Sequence, residues 1–158
     1  MNYIHESAQI GEGFNIGKFC VIEKDVVIGE EVQLGDFILL REGSILYNHI
    51  SIESYTKILG LCVIGNHVKI GLNVIINKEC HIGEKTQIGD NVTFMHDAET
   101  VIERGPTIVG TNVEIYENVT IAPSIIIGQD VKIAPTSFVN KNCINPGLYA
   151  GIPIQLRK

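Results

Sequence analysis

The side chains of this 158-residue chain best suited to chemistry are five histidines and four cysteines. One histidine stands with a carboxylate in an irregular stretch. His96 precedes Asp97 in Met-His-Asp-Ala-Glu-Thr-Val-Ile-Glu-Arg-Gly-Pro-Thr-Ile, residues 95–108. Histidine titrates at ~6.5 when unperturbed, so its neutral imidazole takes up protons near pH 7. That suits a general base acting on an attacking hydroxyl or amine. Asp97 is one candidate to orient the ring. Adjacent side chains on a strand point apart, however, so Glu99 or a carboxylate from a neighbouring chain stays open as the alternative. A polar loop residue without a role is the plainer reading of His96. Gly105-Pro106 marks a turn, and loops on rigid scaffolds are where sites lie.

The irregularity is visible because the rest of the chain keeps a rhythm. From Ile4 an aliphatic residue falls on every sixth position, through Ile10, Ile16, Ile22 and onward to Ile88, and Phe94 closes the run. The beat returns at Val109 and continues through Ile115, Ile121, Ile127 and Ile133 to Val139. Fifteen residues separate Phe94 from Val109, which reads as two hexads with an insertion of three. A six-residue period is too short for a helical repeat and is the mark of a parallel β-helix. Isoleucine and valine favour strands. The glycine that often follows the beat, as at Gly11, Gly65 and Gly83, together with the Asn, Asp and Glu after it, reads as a corner tolerant of left-handed dihedrals.

Three hexads close a triangular coil of eighteen residues, and beat residues eighteen apart stack into ladders about 4.8 Å apart. The expectation is a single all-β domain over 1–158, a parallel β-helix of about seven to eight coils. Coils fill 4–99 and 109–144, a short loop insertion lies at 95–108, and a C-terminal cap fills 145–158. Pro146 and Pro153 are expected to stop the helix and shield its end from further strands. The flat prism faces suggest a trimer with closed symmetry, and Leu59 is a candidate contact.

The period also sorts the other reactive side chains. Cys20, Cys62, Cys80 and Cys143 all lie four places after a beat, a mostly small, inward slot. A free cysteine there acts as a small hydrophobe, and the spacings fit no zinc pattern. His49 and His67 are eighteen apart and should stack at one corner. No third ligand follows in that ladder, where Lys85 comes next. A solvated pair is therefore expected rather than a metal site.

The net charge of −6 argues against nucleic acid as the main partner. Residues 1–100 carry seven basic and fourteen acidic side chains, and residues 101–158 carry five and four. An anionic ligand meets least repulsion at the C-terminal end. No apolar run approaches the ~20 residues of a membrane span. The N-terminus lacks the basic and apolar regions of a signal peptide. Cytoplasmic localisation is the expectation.

With the hexads, the restart Gly-Pro-Thr-Ile-Val-Gly at 105–110 and the ending Ala150-Gly-Ile-Pro153, the chain resembles the hexapeptide-repeat acyltransferases with a left-handed β-helix. Among them it resembles the bacterial sugar O-acetyltransferases and the amino-sugar-nucleotide N-acetyltransferases. The resemblance supplies the left hand, which the periodicity does not. It implies a homotrimer with acetyl-CoA in a groove between prisms near the C-terminal coils. It puts the catalytic histidine at the start of the loop before the restart, at His96. In the O-acetyltransferases proline follows that histidine, whereas here it is Asp97. The N-acetyltransferases have Asn-Asp there. Glu114 and Tyr116 stand where the O-acetyltransferases have tryptophan and glycine.

For coenzyme A, the resemblance implies backbone groups of the last coils, including Ala134, and a lysine after the Ser137-Phe-Val-Asn segment, Lys141. Ala150, Gly151 and Pro153 match the ending, with Ile154 replacing its last alanine. Arg157 and Lys158 fit a phosphate-binding role. Their plainer role is to solvate the cap. The implied function is an acetyl-CoA-dependent acetyltransferase acting on a hydroxyl or amine of a sugar or nucleotide sugar. The alternative is a non-catalytic trimeric β-helix that binds or scaffolds. A γ-type carbonic anhydrase needs two zinc histidines five residues apart, and His5, His49, His67, His81 and His96 offer no such pair.

Overall fold

The computed structural model describes residues 1–96 and 105–157. Each hexad forms a two-residue strand, as at Tyr3–Ile4, Gln9–Ile10 and Asn15–Ile16. Strands eighteen residues on pair with these in parallel, placing Ile4 beside Ile22, Ile10 beside Ile28 and Ile16 beside Leu34. Among the described residues three sheets of eight, seven and nine strands form the walls of the prism, parallel throughout except for the last strand of the third. The chain is a parallel β-solenoid.

Side-chain alternation builds the core. At Lys57–Ile58 and Lys69–Ile70 the lysine faces out while the isoleucine is buried. The slot four places after the beat also points inward, and Val26, Val68, Val74 and Val113 fill it. Burying each such side chain contributes about 1.5–3 kcal/mol. Truncating one, as in Ile64→Ala, should cost about 2–5 kcal/mol. Polar members of the slot are satisfied across coils. Thr56 Oγ1 donates to the Gly71 carbonyl at 2.9 Å and accepts from the Val74 N–H at 3.0 Å. Cys20, Cys62, Cys80 and Cys143 are buried and unpaired in this slot, as the phase requires.

The corners meet the sequence expectation at the polar residues after the glycine, such as Asn91 and Asn112, but not at the glycine itself. The left-handed residue is not the glycine after the beat but the third residue after it. Asp25, Asn73, Asn91 and Asn118 take positive φ there, and so do Phe19, Phe37, His49, Tyr55 and His67. The glycine after the beat serves close approach instead. A Cβ on Gly83 would lie 2.5 Å from the Gly110 carbonyl in the next coil.

The interruption is longer than the three residues expected. Ile82 pairs with Val109, so that coil spans 27 residues where its predecessor, Ile64 to Ile82, spans 18. Nine residues are extra. The hexad count misread the segment because it assumed that the chain kept coiling through it. The strand at Phe94 instead connects to the next wall only at Ile108–Val109.

Pro146 does not end the sheet either. After it, the strand Gly147–Ala150 still pairs in parallel with Val131–Ile133, and the parallel run ends only at the turn holding Pro153, beyond which Gln155–Leu156 folds back antiparallel. This hairpin is the cap. Its Ile154 is buried, and the Tyr149 hydroxyl donates to the Asn145 carbonyl at 3.1 Å.

Candidate active site

The first wall holds its register to the point where the chain leaves it. The Met95 N–H donates to the Ile121 carbonyl at 2.8 Å, and His96 follows, exposed. The chain returns at Thr107, whose buried hydroxyl accepts from the Ser124 N–H at 3.0 Å. Between these points lies a cavity of about 220 Å³, lined by His96, Met95, Gly105, Pro106 and Thr107 above corner residues 77–80 and 123–124. His96 therefore stands on a formed wall. Asp97 and Glu99, the two loop carboxylates weighed for orienting it, lie outside the described residues.

Glu79 shares this cavity with His96. Sequence reasoning missed it, though Glu79 falls in a corner slot, three places after the beat residue Ile76. Cys80 also lines the cavity, but burial pushes its thiol up to about 12. At neutral pH it is protonated and a poor nucleophile.

The structure partly assembles the residues expected at coenzyme A. Phe94 pairs with Ile121, and Ile121 with Val139. His96, Pro123 and Lys141 each lie two places after these and share one corner, Lys141 about 10 Å along the axis from His96 at the coil spacing. The other group gathers at the hairpin. The Ala134 N–H donates to the Tyr149 carbonyl at 2.8 Å, beside Ala150. The Gly151 N–H donates to Ser137 Oγ at 3.1 Å. Pro153 is exposed in the hairpin turn. Arg157 Nη2 donates to the Ala150 carbonyl at 3.1 Å, so its guanidinium braces the hairpin. Lys158 lies outside the described residues. Within one chain Lys141 and the hairpin residues sit at different corners of the triangle.

A second groove, of about 310 Å³, runs along the third sheet. Gly71 and Gly89 leave a notch between Glu53 and Tyr116. Its lower end is ordered by Glu114, which accepts from Lys132 Nζ at 2.9 Å and from the Tyr116 hydroxyl at 2.7 Å. The Lys132 hydrogen bond first, and the Tyr116 hydrogen bond second, hold the Glu114 carboxyl below its ordinary value. Where the resemblance led one to expect tryptophan and glycine, this chain has an ion-paired carboxylate and a phenol.

His49 and His67 stack with ring centroids 4.9 Å apart and planes 5° from parallel. Among the described residues no group of three His, Cys, Asp or Glu side chains is placed to hold a metal ion. No helix among them is long and apolar enough to cross a membrane.

Residues 46–147 match the family model described as the GMPPB C-terminal domain. No curated protein matches the sequence. Among solved structures, the UDP-N-acetylglucosamine O-acyltransferase LpxA from Moraxella catarrhalis is 18% identical over 98% of this chain and 73% of its own, with a TM-score of 0.54. The Arabidopsis UDP-N-acetylglucosamine acyltransferase is 17% identical over 99% and 72%, with a TM-score of 0.61. LpxA from Acinetobacter baumannii is 19% identical over 99% and 71%, with a TM-score of 0.63. At such identities the likeness establishes the fold, a left-handed parallel β-helix of hexapeptide repeats.

Proposed function

The chain belongs to the GMPPB C-terminal domain family, and we propose that it transfers an acetyl group from acetyl-CoA to a hydroxyl or amine of a sugar or nucleotide sugar. The observation that carries this reading is His96 on a cavity at the one break in the described coils. The fold is shared with acyltransferases named for UDP-N-acetylglucosamine, which supports the reading and leaves the acceptor open.

In this reading His96 takes the proton from the attacking hydroxyl or amine as the new C–O or C–N bond forms at the thioester carbonyl. A backbone N–H stabilises the oxyanion. The C–S bond then breaks, and the proton passes to the leaving thiolate of coenzyme A. A carboxylate, Asp97 in the loop or Glu79 across the cavity, orients the ring. Coenzyme A lies between neighbouring prisms of a homotrimer. That arrangement lets Lys141 of one chain and Ala134, Ala150, Gly151, Pro153, Arg157 and Lys158 of the next meet one ligand.

One observation favours a second reading, a non-catalytic scaffold. The Arg157 guanidinium is already engaged by its own hairpin. Thermal melting with acetyl-CoA separates the two readings, since a ligand bound only by the native state raises the melting temperature by mass action. The enzyme reading expects a rise that Lys141→Ala reduces, followed by transfer of labelled acetyl from acetyl-CoA to a member of a sugar and nucleotide-sugar panel. No shift at millimolar acetyl-CoA would leave the scaffold reading.

A further inference from the structure

We propose that the corner bearing Phe19, Phe37 and Tyr55 is the edge by which copies of this chain dock on one another in the trimer proposed above, on which this inference rests. The three rings form a rigid ladder. Phe19 and Phe37 stack at 5.1 Å and 18°, and Phe37 and Tyr55 at 5.0 Å and 6°. All three are exposed, at 54%, 44% and 55%. On the adjoining wall Tyr3 and Val21 are exposed and Leu39 is half-buried, which widens the ladder into an apolar strip.

One feature marks the strip as more than a corner. All three corners carry left-handed backbone, at Glu31, Leu61 and Lys85 as well as at Phe19, Phe37 and Tyr55 with φ of 57°, 57° and 65°, but among the described residues only here do exposed apolar rings fill three successive such positions. Bulky L-residues are strained there, whereas asparagine is tolerated. Further along the same corner the chain does use asparagine, at Asn73, Asn91 and Asn118. The aromatic choice is thus confined to one end, where it incurs strain and exposes apolar surface. The strip offers roughly 400 Å² per copy, taking about half the area of each of four aromatic side chains. Patches of that size on single chains are often functional, and it would form the apolar centre of a contact burying about 800 Å² per partner.

The geometry selects a second copy as the occupant. The inner ring faces are consumed by one another, so a small stacking ligand such as a sugar ring finds only the two ends of the ladder. What remains is a row of ring edges repeated at the coil pitch. A surface that matches it must repeat at the same pitch, and another copy with its solenoid axis parallel does so. Cyclic symmetry about an axis parallel to the solenoid brings equal rungs level. Charge permits the approach. Beside the strip Glu23 pairs with Arg41 at 3.4 Å and Lys24 with Glu42 at 3.1 Å, so an identical neighbour meets charges already paired.

The test compares the wild type with the triple variant Phe19→Asn, Phe37→Asn, Tyr55→Asn by light scattering at micromolar concentration, with circular dichroism and melting in parallel. The expected result is a trimer for the wild type and a folded monomer for the variant, because asparagine suits these dihedrals. A variant that keeps the trimeric mass overturns the docking edge and leaves the trimer intact. A monomeric wild type overturns both, and with them the coenzyme A site between prisms. Should the triple variant not fold, Phe37→Asn alone serves in its place, with a trimer that dissociates at higher protein concentration than the wild type expected, and an unchanged concentration dependence of the mass overturns the edge.

Discussion

Val109 pairs with Ile82 in the same register that Ile82 keeps with Ile64, although 27 residues intervene instead of 18. The solenoid thus closes over its interruption without a shift. The wall does not need the nine extra residues.

Deleting residues 98–106 should therefore leave the solenoid intact. It restores six residues between Phe94 and Val109 and puts Asp97 in the corner slot that Asp25 and Asp130 fill with positive φ. Shortening the connection changes its closure entropy by only about 1 kcal/mol. The variant should melt cooperatively, with a stability within about 1 kcal/mol of the wild type. Loss of the cooperative transition would show that the segment is part of the wall.

The cysteines should be silent in the native protein. Burial pushes Cys62 up to about 11, Cys80 to about 12 and Cys143 to about 11, from an ordinary value of 9.0. A thiol reagent at pH 8 should label none of these or the buried Cys20 within minutes, and all four after unfolding. The same shifts set a direction for stability. A thiol whose folded value is raised contributes stability that is complete below about 9 and is lost as pH rises towards the folded value. Cys80→Val, which uses the slot's common residue, should move alkaline unfolding to higher pH. An unchanged alkaline midpoint would mean that this thiol does not titrate on unfolding.

The Glu114–Lys132 pair should show itself in acid. A carboxyl held below its ordinary 4.5 contributes stability above that value and loses it as pH falls through the folded value. Lys132 is raised, mainly by its hydrogen bond to Glu114, so its contribution is present below 10.5 and fades above it. The melting-temperature gap between wild type and Lys132→Met should be widest between these limits and should close at both. It will be small, since both side chains are substantially exposed. A gap independent of pH would assign the effect to packing instead.

The fold was readable because one period governs everything inward. Ile22, Ile58 and Val109 had to stack once the beat was seen, and the four cysteines followed from their slot. Two things were not readable from spacing. The true length of the interruption depends on which wall Val109 rejoins, and a count of hexads cannot distinguish two coiled hexads from none. The corner glycines misled because close approach between coils and left-handed φ both favour glycine; Gly83, directly after the beat, serves the first, and Gly13, third after it with φ of 71°, the second. At the site, His96 was legible as the polar residue at the break. Glu79 was hidden because only the fold brings residues 77–80 beside His96, seventeen positions further along the chain. The division of Lys141 from Ala134 and Gly151 was hidden because it depends on which corner each residue reaches.

The central claim is that His96 is the base for acetyl transfer, and kinetics of His96→Ala with an identified acceptor test it most directly. His96 is exposed and carries no core ladder, so the variant should keep its fold, oligomeric mass and acetyl-CoA binding. Its kcat should fall by on the order of 10²–10⁴, the worth of a general base. The acidic limb of the kcat/KM profile should vanish with it, because protonation of this imidazole no longer limits the reaction. A variant that turns over the same acceptor at the wild-type rate, with the acidic limb in place, would contradict the account.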